Sequence, residues 1–99
     1  IGPMRPSVAL RHQRQAVLAA ARRFRMSHPR VFGSVLHGTD ADGSDLDLLV
    51  EVQPGVTLFD LGGFQDEVQE ILGVQVDVLT PGDLPAKFRA AVLSEAQPV

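Results

Sequence analysis

The chain has 99 residues, no cysteine, 44% hydrophobic residues and a formal net charge of −3, which is typical of one small folded domain. Without cysteine, disulfides, zinc ribbons and thiol catalysis are excluded, and a reducing cytoplasm is compatible. No apolar run approaches the roughly 20 residues of a membrane span. The chain has no Tyr, no Trp and five Phe, so it has few aromatic side chains on which nucleic-acid bases could stack. We therefore expect a cytoplasmic protein that binds neither membrane nor nucleic acid directly.

The charges are unevenly distributed along the chain. Residues 1–39 contain seven arginines and no acid, a sum of +7. Residues 40–99 contain all 12 acids against Lys87 and Arg89, a sum of −10. A solvated surface normally intersperses the two signs, so the division at Thr39/Asp40 requires a structural explanation.

The predicted elements begin after Ile1-Gly2-Pro3, which is typical of a cloning remnant before a natural start at Met4, and a single domain is expected over residues 4–99. Ser7 is the predicted cap of a first helix that continues to about Arg25. The buried stripe of this helix, at helical spacing, comprises Leu10, Val17, Ala21 and Phe24.

Three strands are predicted after this helix. The first, at residues 30–32, follows His28-Pro29, where the helix ends because the residue before a proline is disfavoured in the helical region. The second, at residues 46–52, has a near-continuous apolar run that indicates cover on both faces. The third, at residues 75–79, alternates in polarity.

Two further helices accompany the strands. One spans residues 57–72 and ends at Gly73, and its predicted buried stripe comprises Leu58, Leu61, Phe64, Val68, Ile71 and Leu72. The last helix opens at Leu84 or Pro85. The phenylalanines assigned to the core are Phe24, Phe64 and Phe88.

Together these elements predict an α/β (α+β) fold, a small mixed β-sheet with flanking helices. Gly33-Ser34 forms a short turn, with room for one helical turn up to about Gly38, and favours antiparallel pairing of the first two strands. The strand, helix and strand over residues 46–79 form a crossover unit, so the second and third strands are expected to be parallel with a right-handed connection.

The chemically informative pattern is Gly33-Ser34, ten further residues, and then Asp45-Leu46-Asp47 at the start of the second strand. Aspartates at i and i+2 on a strand project from the same face, and their repulsion raises their pKa values unless a cation lies between them. Mg²⁺ prefers a few carboxylate oxygens together with substrate phosphates. The pair therefore suits phosphoryl or nucleotidyl transfer.

Two further parts complete this pattern. Gly33 lets the backbone approach a phosphate closely, and Ser34 offers a hydroxyl beside free N–H groups. Asp77, a charge within the third strand, can stand beside Asp45 and Asp47 and accept a proton from an attacking hydroxyl. The hypothesis is a three-carboxylate, two-metal site.

The loop before the second strand has a plainer interpretation. Asp, Gly and Ser are the ordinary residues of turns, so Asp40 and Asp42 are expected to be polar loop residues. The same explanation does not account for charged residues inside apolar strands, which is where Asp47 and Asp77 occur.

The segments "VFGS", "SDLDLLVE" and "VDVLTPGDL" carry the three-part pattern in register. On these segments the chain resembles the nucleotidyltransferases of the DNA polymerase beta superfamily. Within that superfamily it is similar to the minimal nucleotidyltransferase (MNT) antitoxins of HEPN/MNT toxin–antitoxin pairs. The resemblance covers most of residues 8–99 and implies a polymerase beta-like nucleotidyltransferase core.

The resemblance implies an enzyme that moves AMP from ATP-Mg²⁺ to a tyrosine hydroxyl of a partner HEPN ribonuclease, which inactivates that toxin, and a hetero-oligomer with the partner. Carried over by position, Gly33 and Ser34 bind the β and γ phosphates. Asp45 and Asp47 bind metal, while Asp77 binds metal and acts as the base. Two Mg²⁺ ions are expected, with Mn²⁺ as the alternative. Because the chain contains no tyrosine, an acceptor tyrosine must belong to another protein.

The chain departs from the family directly after the Gly-Ser pair. Many relatives have basic residues there, whereas this chain has Val35, Leu36 and His37. His37 or an arginine of the first helix is the candidate substitute cation. The departure motivates an alternative function, an antitoxin that neutralises its toxin by binding alone. A nucleotidyltransferase for a small molecule also stays open.

Overall fold

The computed structural model describes residues 4–99, so the prediction about residues 1–3 lies outside its described part. The helices are α1 (Pro6–His12), α2 (Arg14–Arg23), α3 (Gly33–His37), α4 (Leu58–Leu72) and α5 (Ala86–Glu95). The strands are β1 (Met26–Phe32), β2 (Leu46–Val52), β3 (Val76–Leu79) and β4 (Gln97–Pro98), and a 3₁₀ turn, Pro81–Asp83, follows β3. No helix in this described part is both long and apolar enough to cross a membrane.

The four strands form one mixed sheet in the order β3-β2-β1-β4. β1 pairs with β2 antiparallel and β2 pairs with β3 in parallel, which confirms both predicted pairings and the mixed α/β class. β4 lies antiparallel to the other edge of β1 and is not among the predicted elements. Its two residues, one of them a proline, carry no alternation in polarity that could announce a strand.

β2 is an interior strand of the sheet, and its side chains point alternately to the two faces. Leu46, Leu48 and Val50 are fully buried in a core to which α2 and α4 contribute. Leu49 is fully buried on the opposite face, so the predicted cover on both faces is confirmed. Since side chains alternate along a strand, Asp47 lies on the Leu49 face, away from α2 and α4.

The prediction of one helix over residues 7–25, capped by Ser7, is wrong. The helix begins at Pro6 and is interrupted at Gln13, whose backbone leaves the helical region with φ −116° and ψ 21°. Ser7 lies inside the first turn, and its backbone N–H donates to the Asp40 carboxylate at 2.9 Å. A side chain from a distant segment thus replaces the local cap, which no local pattern can show.

β1 begins at Met26, earlier than predicted. α2 has already ended, and Arg25 reverses the chain in the left-handed region with φ 60°. The register between Ser27 and Arg30 is irregular, and His28 adopts φ 51° there. The proline that was expected only to end a helix is therefore accommodated at a bulge, where prolines in sheets are tolerated.

α4 has the predicted boundaries because its end signals are local. The Thr57 N–H donates to the Asp60 carboxylate at 2.8 Å and the Asp60 N–H donates to the Thr57 hydroxyl at 3.3 Å, while Gly73 ends the helix with φ 69°. Its buried residues are Phe64, Val68 and Leu72, with Leu61 and Ile71 partly buried. Leu58, at 83% exposure, is wrongly assigned to the stripe, because a stripe is buried only where another element lies against it.

The phenylalanines differ in their environment. Phe24 and Phe64 have ring centroids 6.3 Å apart, and a Cβ at Gly63 would lie 2.7 Å from the Phe24 ring, so this glycine permits close packing. Phe88 is 55% exposed, and its predicted place in the core is wrong. α5 has no buried residue, so its apolar positions face no second layer.

Candidate active site

Asp47 and Asp77 lie opposite one another on neighbouring parallel strands. The register of β2 and β3 pairs the two residues directly. Register partners project from the same face of a sheet, so both carboxylates lie on the face of Leu49. The structure thus brings together two of the aspartates predicted to form the site.

Asp45 joins the pair from the position just before β2. It lies two residues from Asp47 and therefore on the same side of the strand. Asp45 and Asp77 are exposed and Asp47 is partly buried. Burial raises the pKa of Asp47, and the negative charges of Asp77 and Asp45 raise it further. Asp45 and Asp77 are therefore both near enough to Asp47 to repel its carboxylate.

Gly33 brings the turn between β1 and α3 against Asp47. Its backbone is left-handed, with φ 72°, and a Cβ there would lie 3.1 Å from Asp47 Cγ and closer still to Oδ2. Phe32, the last residue of β1, is the register partner of Asp47, which explains the close approach. A side chain at position 33 would displace the carboxylate, so the glycine is a geometric requirement of the site.

Ser34 lies in the turn of α3 next to this contact. α3 spans Gly33–His37 and confirms the predicted helical turn. The Ser34 carbonyl accepts a hydrogen bond from the Thr39 N–H at 2.9 Å, and Gly38 ends the helix with φ 72°. The turn is therefore closed by its own backbone beside the Asp47 carboxylate.

The loop from α3 to β2 is anchored by Asp40. Unlike Asp42, which is exposed as expected, Asp40 is buried, so its assignment to a plain polar loop is wrong. Its carboxylate accepts hydrogen bonds from the Ser7 N–H at 2.9 Å and the Arg5 guanidinium at 3.1 Å. Burial raises the pKa of Asp40, but these bonds outweigh burial and hold it below its usual value. Asp40 thereby fixes the loop that leads to Asp45.

A contact between a histidine and a carboxylate lies at the end of α3. Nε2 of His37, at the end of α3, lies 3.3 Å from Oε2 of Glu95, at the end of α5. The sequence analysis singles out His37 but not Glu95. No local pattern in the sequence marks Glu95, because its contact with His37 joins residues far apart in the chain.

Two arginines of the first helix, Arg14 and Arg23, make contacts elsewhere. Arg23 forms an ion pair with Glu67 of α4, in the helical layer. Arg14 donates a hydrogen bond to the Val99 carbonyl at 3.0 Å. Of the candidates named from the sequence, His37 is the one placed on the same helix as the Gly-Ser pair.

The aspartates suit a divalent cation by their chemistry. Within residues 4–99, no three His, Cys, Asp or Glu side chains already lie close enough to hold a metal ion together. Asp45, Asp47 and Asp77 nevertheless offer the hard carboxylate oxygens that Mg²⁺ and Mn²⁺ favour. A cation would also relieve the repulsion that raises the pKa of Asp47. The residues present therefore fit such an ion.

Paired aspartates on adjacent strands, beside a glycine turn that enters a short helix, characterise enzymes that act on the phosphates of a nucleotide. Comparison with known proteins specifies that class. The model of the nucleotidyltransferase domain family matches residues 22–99, and the chain belongs to this family. It is an enzyme of the nucleotidyltransferase class.

Individual relatives agree with this assignment. A protein of Methanocaldococcus jannaschii, whose assigned name is that of a protein adenylyltransferase, is 38% identical over 66 residues, which are 67% of this chain and 71% of the relative. A solved structure described as a minimal nucleotidyltransferase is 40% identical, with a TM-score of 0.83 over 94% of this chain and 95% of that chain. A toxin–antitoxin crystal structure with AMP-PNP is 16% identical, with a TM-score of 0.71 over 85% of this chain and 69% of that chain, and it shows the shared fold alone.

Proposed function

We propose that the chain transfers AMP from ATP to a hydroxyl group of a partner protein. The observation that carries this proposal is the direct register of Asp47 with Asp77 on a sheet face next to Gly33. Family membership supplies nucleotidyl transfer, and the geometry supplies the acidic centre and a close backbone approach for the phosphates.

In this proposal the aspartates have distinct roles. Asp45, Asp47 and Asp77 hold two Mg²⁺ ions, or Mn²⁺, which neutralise phosphate charge when bound. Asp77 has the further role of base. It is exposed on the edge strand β3, where an acceptor hydroxyl from outside the chain can reach its carboxylate and give up a proton. The hydroxyl oxygen then bonds to the α-phosphorus of ATP, and pyrophosphate leaves.

Gly33 and Ser34 bind the β and γ phosphates in this proposal. The absence of a side chain at Gly33 lets the backbone of the turn approach both the Asp47 carboxylate and a phosphate. Ser34 adds a hydroxyl to the backbone groups of the same turn. The turn thereby orients the leaving pyrophosphate relative to the aspartates on β2 and β3.

A protein acceptor is favoured over a small molecule by the openness of the acidic face. Asp45 and Asp77 are exposed, and the cleft of about 350 Å³ in this part of the fold is lined by loop residues such as Gly43, Ser44 and Gln75 rather than by the aspartates. An open face suits an acceptor that brings its own surface. The Methanocaldococcus jannaschii relative, named as a protein adenylyltransferase, supports the same acceptor class.

We further propose that the acceptor is a tyrosine of a HEPN-family toxin, with which the chain forms a hetero-oligomer as its antitoxin. The toxin–antitoxin complex with AMP-PNP, which shares the fold, supports this partner class. The chain contains no tyrosine, so the label must appear on the partner.

Incubation of the chain with its co-encoded toxin, Mg²⁺ and ATP labelled at the α-phosphate tests the proposal. We expect AMP on a toxin tyrosine, located by mass spectrometry. The double variant Asp45→Ala/Asp47→Ala and the single variant Asp77→Ala should each reduce labelling by about 100-fold or more. Asp42→Ala, an exposed acid of the neighbouring loop, is the matched control and should label normally. Equal labelling by all four proteins would contradict the proposal.

The second candidate is an antitoxin that acts by binding alone. The observation in its favour is that Val35 and Leu36, where many relatives have basic residues, pack against the hydrophobic core. Growth rescue separates the two. If Asp45→Ala/Asp47→Ala rescues cells from the toxin as well as the unchanged chain does, binding is sufficient; if rescue is lost while the complex still forms, transfer is required.

A further inference from the structure

Two carboxylates approach α3, Asp47 at Gly33 and Glu95 at His37. Asp47 approaches the turn from β2, as described above. β4 pairs with β1 antiparallel, with Val31 opposite Gln97. Glu95 ends α5, two residues before β4. The pairing of β4 with β1 therefore brings the end of α5 near α3, which begins where β1 ends, and Glu95 contacts His37 of α3.

His37 lies between this second carboxylate and the turn. Its Nε2 is 3.3 Å from Glu95 Oε2, and the two side chains are 53% and 43% exposed. His37 and Ser34 are three residues apart in α3, so their side chains are neighbours on one face of the helix. A polyanion held by Ser34 would therefore meet His37, and Glu95 directly behind it.

The two carboxylates differ in what offsets their charge. In the proposed function, divalent cations would neutralise Asp47, whereas the partner of Glu95 is the His37 imidazole. A negative charge this close to a polyphosphate weakens its binding. An imidazole Nε2 that is engaged by Glu95 is also less available to a phosphate oxygen, since both compete for the same donor.

We infer that Glu95 is a positioning residue that sets the nucleotide affinity of this enzyme by competing with the polyphosphate for His37. The inference rests on the proposed function, because it requires the polyphosphate to lie over the Gly33-Ser34 turn. His37 supplies the basic side chain that the segment after Ser34 otherwise lacks. Glu95 holds that imidazole in place and restrains it.

Equilibrium binding of AMP-PNP with Mg²⁺ to the full chain tests the inference. Glu95→Gln should tighten binding by about fivefold, since one negative charge near the polyphosphate is removed. His37→Gln should weaken binding by a similar factor, and His37→Arg should restore it because the positive charge returns. Glu70→Gln, which removes an exposed acid on α4, is the matched control and should bind as the unchanged chain does.

Steady-state kinetics with ATP distinguish a positioning role of Glu95 from a merely structural role. Glu95→Gln should lower KM for ATP with kcat unchanged, because the chemistry at the aspartates is untouched. Binding by Glu95→Gln that equals or falls below that of the unchanged chain would overturn the inference and leave the proposed function in place. If the unchanged chain itself fails to bind AMP-PNP with Mg²⁺, the proposed function fails.

Discussion

Gly33 and Asp47 constrain each other more tightly than any other pair of residues in the candidate site. The glycine is left-handed, and its missing Cβ leaves the space that the Asp47 carboxylate fills. Two separate properties of glycine are therefore used at once, its backbone freedom and its lack of a side chain. The chain offers a way to separate them, because Gly38 has the same φ of 72° with nothing within 4 Å of an added Cβ.

Gly33→Ala should therefore lose both stability and activity. We expect a loss of about 1–2 kcal/mol in the free energy of unfolding, from backbone strain and the displaced carboxylate, and a transfer rate reduced about tenfold or more by the misplaced Asp47. Gly38→Ala should lose about 1 kcal/mol through the same backbone strain but keep its activity. Urea unfolding and the labelling assay measure the two effects. Equal loss of activity in both variants would contradict the assigned contact.

Asp47 lies directly opposite Asp77, and burial together with the charges of Asp77 and Asp45 raises the pKa of its carboxyl group. Asp47→Asn removes one of two like charges directly opposite each other, which should stabilise the metal-free chain by about 0.5–1 kcal/mol. The same change should abolish transfer. Thermal unfolding without divalent cations provides the measurement, and Asp42→Asn is the control that should change neither property. A less stable Asp47→Asn variant would show that the carboxylates do not repel one another as described.

At the scale of elements, β3 forms hydrogen bonds along both of its edges, with β2 on one side and with glutamine side chains of α4 on the other. It is an edge strand of only four residues that carries Asp77. Its outward N–H groups at Val76 and Val78 donate to the side-chain carbonyls of Gln69 and Gln65 on α4, at 3.0 and 3.2 Å. Glutamine side chains thus take the place of a further strand. They position the edge that carries Asp77 and block pairing with another molecule.

Replacing both glutamines by leucine should expose that edge. Gln65→Leu/Gln69→Leu leaves two backbone donors without partners, and we expect a loss of about 1–2 kcal/mol in stability. Concentration-dependent self-association should follow in light scattering, because free N–H groups at an edge pair with other chains. Gln15→Leu, at an exposed position of α2, controls for added apolar surface. A monomeric and fully stable double variant would contradict this function of the glutamines.

The accuracy of the sequence analysis differed between elements for a physical reason. β2 and α4 were placed correctly because their signals are local, an apolar run in one and the Thr57 capping box with Gly73 in the other. The first helix was misplaced because its start is capped from another segment by Asp40. α5 was placed correctly in sequence, but the burial of Phe88 depends on what lies opposite.

At the scale of the whole molecule, the charge division has a structural meaning. Each contact between a basic side chain and a carboxylate found among residues 4–99 joins the basic segment 1–39 to the acidic segment 40–99. The pairs are Arg5–Asp40, Arg23–Glu67, His28–Glu51, Arg30–Glu51 and His37–Glu95. The two segments are thus complementary in charge where they pack together, and the acids of the candidate site are outside these pairs.

Asp40, the most buried acid of these pairs, should make stability depend on pH. A carboxyl group whose pKa is lowered by folding adds stability above its ordinary value of 3.8, and loses it as the pH falls through the folded-state value. Asp40→Asn should therefore be less stable than the unchanged chain by about 1–2 kcal/mol near neutral pH. The difference should shrink in acid.

Urea unfolding between pH 3 and pH 7 would measure this dependence. Asp66→Asn, an exposed acid on α4, is the matched control and should show no difference that changes with pH. A gap between Asp40→Asn and the unchanged chain that stays constant over the whole range would show that the carboxylate charge is not the source of the stability.

The sequence by itself determined the elements with local signals and the pairing of the three principal strands. It also identified the candidate site residues Gly33, Ser34, Asp45, Asp47 and Asp77. These features could be predicted because alternation, capping and residue spacing act over short distances. Only the tertiary structure decided the register of Asp47 with Asp77, the partners of the arginines, and the pairing of His37 with Glu95. These contacts join residues far apart in the chain, and the packing of the whole sheet and its helices sets their distances.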